Sequence, residues 1–200
     1  MKLERRWVMP NWAAVCYKVT GQHEQVEKLY NIMLELGAMP SPGLVENGFG
    51  SEWFGNLVTK LGGDPNKVYC RGSWTNLQYS DGILTIDIES AWDELNELRA
   101  FLEDTFPDIK IWYQCEESGC GIYTTNDPDG TYFPDRYYLW DELGMDCEYY
   151  SSLDALLKAV ENKTGSKHLN SFNAAEKAMA TYSRRHNDSS YTIEEFKVVE

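Results

Sequence analysis

Asp81-Gly82 lies between two runs of alternating polarity, "VYCRGSWTNLQYS" at 68–80 and "ILTIDIE" at 83–89. An Asp-Gly link of two residues selects a type I′ turn, because both central residues need positive φ and the turn's twist matches that of paired strands. The middle of the chain is thereby committed to an antiparallel hairpin. In its second arm Leu84, Ile86 and Ile88 face one way, and Ile83, Thr85, Asp87 and Glu89 face the other. Such a strand needs cover on its apolar side and tolerates water on the other.

The segments around the hairpin supply that cover. Residues 12–20, "WAAVCYKVT", read as a strand with Val15, Tyr17 and Val19 on one face and Ala14, Cys16 and Lys18 on the other. Val26, Leu29, Tyr30, Met33 and Leu36 follow at helical spacing over 23–36, and Gly37 stands where a helix C′ glycine belongs. Residues 38–67 read as an insertion. Their loop-like "AMPSPGLVENGFG" precedes a short helix with Phe54, Leu57, Val58 and Leu61 on one side. After the hairpin, Ser90 to Asp93 has capping-box spacing before Leu95, Leu98, Leu102 and Phe106, and Pro107 ends that helix. "DIKIWYQ" and "GIYTT" read as strands joined at "CEESGC", and "NDPDG" at 126–130 closes the second.

Strand, helix, strand, strand, helix, strand is the ferredoxin-like βαββαβ pattern, an antiparallel sheet with helices on one face. The expected fold class is α+β of this kind, with a helical C-terminal extension. The expected domains are 1–130, with the insertion at 38–67, and an α/β extension, 131–200, packed on it. In that extension 131–150 holds one or two strands, helical spacing marks 153–165 and 171–186, and "YTIEEFKVV" forms a last strand.

In this order "MPNWAAVCYKVTG" at 9–21 resembles the opening of the YubB-type ferredoxin-like domain family of plasmids, phages and other mobile elements. Pro10, Asn11, Trp12 and Gly21 match, whereas Ala13 stands where that family often has Cys. "GSWTN" at 72–76, "IESAWDE" at 88–94, "FPDIKI" and the "EESGCGIY" hairpin are similar to later segments of the family, and the likeness spans 9–125 without the insertion. The resemblance implies a fold and a mobile-element context, and no activity or catalytic residue.

Composition narrows the function. Hydrophobic residues make up 42% of the chain and aromatics 14%, enough for a sizeable core. No apolar run approaches the ~20 residues that span a bilayer, so the chain reads as soluble, cytoplasmic and without membrane association. The formal charge of −14 is concentrated in residues 81–150, where 18 acidic side chains meet 3 basic ones, a formal −15. Phosphate backbones need cations, so direct nucleic-acid binding is not expected, while a basic protein partner is.

No Gly-x-Ser-x-Gly, phosphate loop or His-Glu-x-x-His is present, and no catalytic, metal-ligating or cofactor-binding residue is assigned. The five cysteines include no Cys-x-x-Cys pair and fit reduced thiols. Cys115 and Cys120 flank a turn and leave three readings open: plain thiols, a reversible disulfide or a metal site lacking recognisable further ligands. Glu116 and Glu117 are expected to keep that turn in water. The candidate interaction surface is Asp87, Glu89, Glu116, Glu117, Trp140, Asp141 and Glu142. The expected role is that of a non-enzymatic accessory module that binds protein through its acidic surface. An enzyme or thiol-redox protein and a DNA-mimicking inhibitor of a host DNA-handling protein are the alternatives.

Overall fold

A computed structural model of the chain describes residues 11–141, 146–186 and 191–199. The elements in order are β1 (Trp12–Gly21), α1 (His23–Gly37), α2 (Phe54–Lys60), β2 (Gly72–Ser80), β3 (Ile83–Ala91), α3 (Asn96–Thr105), β4 (Ile109–Glu117) and β5 (Ile122–Thr125). They continue with β6 (Tyr137–Asp141), β7 (Asp146–Tyr150), α4 (Leu153–Thr164), α5 (Phe172–Arg185), β8 (Tyr191–Glu195) and β9 (Lys197–Val198). The chain divides into two compact units, 1–122 and 123–200.

The hairpin forms where Asp-Gly placed it. Asp81 has φ 54° and Gly82 φ 79°, the two positive values that a type I′ turn requires. β3 pairs antiparallel with β2 and with β1, and β1 pairs antiparallel with β4. Period-2 alternation then sorts the side chains. Val15, Tyr17, Val19, Leu84, Ile86, Ile88, Ile111 and Tyr113 are buried in one cluster with Val26, Leu29, Met33 and Leu36 of α1 and Leu98 and Leu102 of α3. Gly21 ends β1 at φ 139°, where an added Cβ would lie 2.1 Å from the Asp108 carbonyl oxygen, so only glycine fits.

The insertion is built around one side chain. Asn56 of α2 is fully buried. Its Oδ1 accepts from the backbone N–H of Leu44 and Val45, both at 3.0 Å, and its Nδ2 donates to the carbonyls of Pro42, Gly50 and Ser51 at 2.9–3.1 Å. A segment that reads as loop by composition is thus tied to the core through a complete set of amide hydrogen bonds.

The expected fold class requires correction. The strands form a six-stranded mixed sheet of order β2-β3-β1-β4-β5-β9 and a separate three-stranded sheet of order β7-β6-β8. This is not a simple ferredoxin-like βαββαβ sheet with a helical extension. β9 runs parallel to β5, pairing Lys197 with Thr124 and Val198 with Thr125. A strand of two residues has no periodicity to read, and its partner lies some seventy positions earlier. The region after residue 130 is α+β, because β6 takes β7 and β8 as antiparallel neighbours.

In the second unit, Leu139 and Ile193 from the sheet pack with Leu156, Leu157 and Val160 of α4 and Ala175 and Met179 of α5. Ser152 and Ser171 cap the two helices by accepting from Ala155 N and Ala174 N. No helix among the described residues is long and apolar enough to cross a membrane.

A second local correction falls at 90–95. The capping-box spacing from Ser90 to Asp93 does not open a helix. β3 continues to Ala91, and the Ser90 hydroxyl donates to the Asp93 carbonyl. Trp92 and Leu95 take φ of 76° and 60°, and α3 starts only at Asn96. Pairing of β3 with β1 and β2 overrides the local cap signal, since both ladders reach Ser90.

Candidate functional site, an acidic sheet face

The sheet face opposite α1 and α3 is set by strand register. Ala14 of β1 pairs with Glu89 on one side and Glu116 on the other. The next row is Asp87, Cys16 and Gln114, and the next is Thr85, Lys18 and Trp112. Strand spacing puts Glu89 and Glu116 about 10 Å apart across Ala14, and Asp87 about 7 Å along β3 from Glu89. The small Ala14 leaves a groove of about 350 Å³ between them, lined by Ala14, Cys16, Thr75, Asp87, Glu89 and Glu116 and by no lysine or arginine. The rows change character along β1, with Lys18 donating to Thr85 Oγ1 at 3.3 Å and Trp112 Nε1 to Thr20 Oγ1 at 3.2 Å. The carboxylates therefore occupy the end of the face where β1 begins.

Cys16 shares this groove but is no nucleophile. Burial foremost, then the Asp87 charge, pushes its thiol up to about 12. At neutral pH it is a protonated thiol, and thiolate chemistry needs the opposite shift. Asp87 also accepts from Asn76 Nδ2 at 3.0 Å, which fixes the carboxylate at the groove wall.

Three of the residues singled out in the sequence, Asp87, Glu89 and Glu116, thus meet on one face. Glu117 does not join them, because the neighbouring position on a strand points the other way. It is 3% exposed and accepts from the backbone N–H of Gly119 and Cys120, both at 2.7 Å. Glu117 therefore clamps the turn from inside rather than keeping it in water. Trp140 and Asp141 belong to the second unit, and Asp141 is engaged by Lys163 Nζ at 3.1 Å. Glu142 lies outside the described residues. Cys115 is buried and Cys120 exposed, and both are free thiols. Among the described residues no group of three or more His, Cys, Asp or Glu is arranged to hold a metal ion.

Sequence reasoning missed a buried polar network beneath the other face. Glu94 is 8% exposed and forms a two-point ion pair with Arg99, Nη2 to Oε1 at 3.0 Å and Nε to Oε2 at 3.2 Å. The fully buried Tyr17 hydroxyl donates to the Glu94 carbonyl and lies 3.3 Å from its Oε2. Burial and the Glu94 charge push the Tyr17 hydroxyl well above its ordinary value. Burial works against the Arg99 charge, but its hydrogen bonds to Glu94 outweigh that and hold it above its ordinary value. The five-residue gap from Glu94 to Arg99 spans the irregular turn before α3, so no helical i,i+4 rule would have paired them.

Some of the segments similar to YubB-type domains meet at the end of the sheet where β1 begins, whereas "FPDIKI" lies at the other end, where Ile109 pairs with Gly21. Trp12 pairs with Ala91, and Gly72 with Ser90. The Asn11 carbonyl accepts from Trp92 N at 3.0 Å, and Asn11 Nδ2 reaches Cys120 Sγ at 3.5 Å.

No protein-family model matches the chain, and no curated protein does. Among solved structures, an unknown protein from Galdieria sulphuraria matches over 92% of this chain and 98% of its own, at 10% identity and a TM-score of 0.25. Overlap that weak carries no argument about fold or function.

Proposed function

We propose that this protein is a non-enzymatic binding module whose acidic sheet face receives a basic segment of a partner protein. The observation that carries the reading is the placement of Asp87, Glu89 and Glu116 around the Ala14 groove, with no cation in its lining. Like charges gathered on one face create a field that favours a cationic partner and repels phosphate. The protonated Cys16 thiol gives a thiol-redox role no support at this groove. The accessory role in a mobile element, suggested by the likeness to YubB-type domains, belongs to the same proposal.

An arginine-rich octapeptide is the direct probe. Calorimetric titration should show binding that weakens as salt rises, because screening shortens the reach of surface charge. Asp87→Asn, Glu89→Gln and Glu116→Gln together should weaken it about tenfold, from roughly 0.5 kcal/mol per exposed pair. Equal affinity of the triple variant and the wild type would overturn the proposal.

A further inference from the structure

We propose that a second cleft in the first unit binds a small planar aromatic molecule bearing an anionic group. The cleft has a volume of about 410 Å³ and is lined by Phe49, Trp53, Lys67, Tyr69, Arg71 and Glu97 among others. That volume falls in the range of small-molecule sites, which pair apolar walls with a few directed polar groups.

Its aromatic walls are held in place before any ligand arrives. Phe49 and Trp53 stack with centroids 6.2 Å apart and planes at 22°, and Trp12 meets Phe49 edge-on at 6.4 Å. The six-membered ring of Trp53 lies directly on Gly55, where a Cβ would come within 2.2–2.4 Å of three ring carbons. The indole N–H of Trp53 is buried with no acceptor among the described residues, so packing rather than hydrogen bonding fixes that ring. Tyr69 is anchored at both ends. Its backbone N–H donates to Glu97 Oε2 at 2.7 Å, and its hydroxyl donates to the Ala91 carbonyl at 3.3 Å. Even so, Phe49 is 41% and Tyr69 37% exposed. Rigid aromatic faces left open to water are what a stacked ring would cover.

The charge at the cleft selects an anion. No described residue accepts a hydrogen bond from the Arg71 guanidinium or pairs with it, whereas Arg99 has its two-point carboxylate and Arg136 donates to the Asp127 carbonyl. The Arg71 guanidinium therefore stands at the cleft without a carboxylate partner among the described residues. It presents a fork matched to carboxylate or phosphate. Lys67 adds a second cation, held only loosely by Asp64 at 4.0 Å with its side chain 82% exposed. Glu97 is committed to the Tyr69 N–H, and a cationic ligand would face both Arg71 and Lys67. A ring stacked on the aromatic wall with its anion on Arg71 uses every feature of the cleft, and it does not depend on the acidic sheet face.

The test is calorimetric titration of the full chain with adenosine 5′-monophosphate and 4-hydroxybenzoate as ring-plus-anion probes, and with adenosine and inorganic phosphate, or phenol and acetate, as their separate parts. At least one of the first pair should saturate, with its separate parts binding about tenfold more weakly or worse. Whichever binds identifies the anion as phosphate or carboxylate. Arg71→Gln should weaken it at least about tenfold, and Phe49→Leu, which alters an exposed side chain, should weaken it measurably with the melting curve unchanged. Lys60→Gln should bind as wild type does. Failure of both probes to saturate at millimolar concentration, or unaltered affinity in Arg71→Gln or Phe49→Leu, would overturn the proposal.

Discussion

Replacing Arg99 by methionine isolates the energetics of the network beneath the sheet. The side chains of Arg99 and Glu94 are only 16% and 10% exposed, so solvent screening of the pair is weak. Methionine keeps much of the apolar stem, which packs near Tyr113 beneath a guanidinium 5.3 Å from the ring centroid. It also strands the Glu94 carboxylate with little beyond a long contact to the Tyr17 hydroxyl. Breaking a buried ion pair on one side costs about 3–5 kcal/mol, chiefly from the uncompensated charge left behind. At about 3 °C per kcal/mol for a chain of this size, the melting temperature should fall by roughly 10–15 °C. Thermal denaturation followed by circular dichroism measures this. Adding Glu94→Gln should recover much of the loss, because the stranded charge is then gone. A loss below about 1 kcal/mol, or a double variant as unstable as the single, would refute the claim that the pair is buried and coupled.

Other consequences can be checked independently. Thiol titration at pH 8 should detect Cys147 and Cys120 in the folded chain and the other three only after unfolding. Burial holds Cys16 and Cys115 at about 12 and Cys70 at about 11, leaving a thiolate fraction on the order of 10⁻³ or less. Asn56→Ala removes the side chain that bonds five backbone groups of the insertion. It should cost about 3 kcal/mol or more and open residues 40–50 to limited proteolysis. Glu117→Ala leaves the Gly119 and Cys120 amides without their acceptor. It should cost about 1–3 kcal/mol and speed hydrogen exchange at those two amides first.

The legible parts of the fold are those in which local chemistry and tertiary pairing agree. Asp81-Gly82 can satisfy its turn only one way, and alternation in β1 and β3 separated Val15, Tyr17, Leu84 and Ile86 from Cys16, Asp87 and Glu89 without further information. That alternation made part of the candidate site readable, since Asp87 and Glu89 fall on the face opposite α1 and α3 by parity alone. Glu116 could be placed beside them only once the register of β4 against β1 was known. The burial of Glu117 was not readable from two adjacent glutamates, because it depends on the turn folding back over the carboxylate. Ser90-Ala91-Trp92-Asp93 misled because its cap spacing is real and the strand ladders outcompete it. The second sheet and β9 escaped because pairing partners of short strands are set by distant residues. The aromatic cleft draws on residues from 49 to 97 in irregular segments, where no period links them.

The central functional claim is that Asp87, Glu89 and Glu116 act together as one receiving surface. Amide chemical-shift mapping of the isotopically labelled chain during titration with the arginine-rich octapeptide tests it most directly. The account predicts shifts concentrated at Ala14, Cys16, Asp87, Glu89, Gln114 and Glu116 and fading at 500 mM salt, where the screening length is about 4 Å. Shifts spread evenly over the acidic side chains of α1 and the second unit, or centred away from β1, β3 and β4, would contradict it.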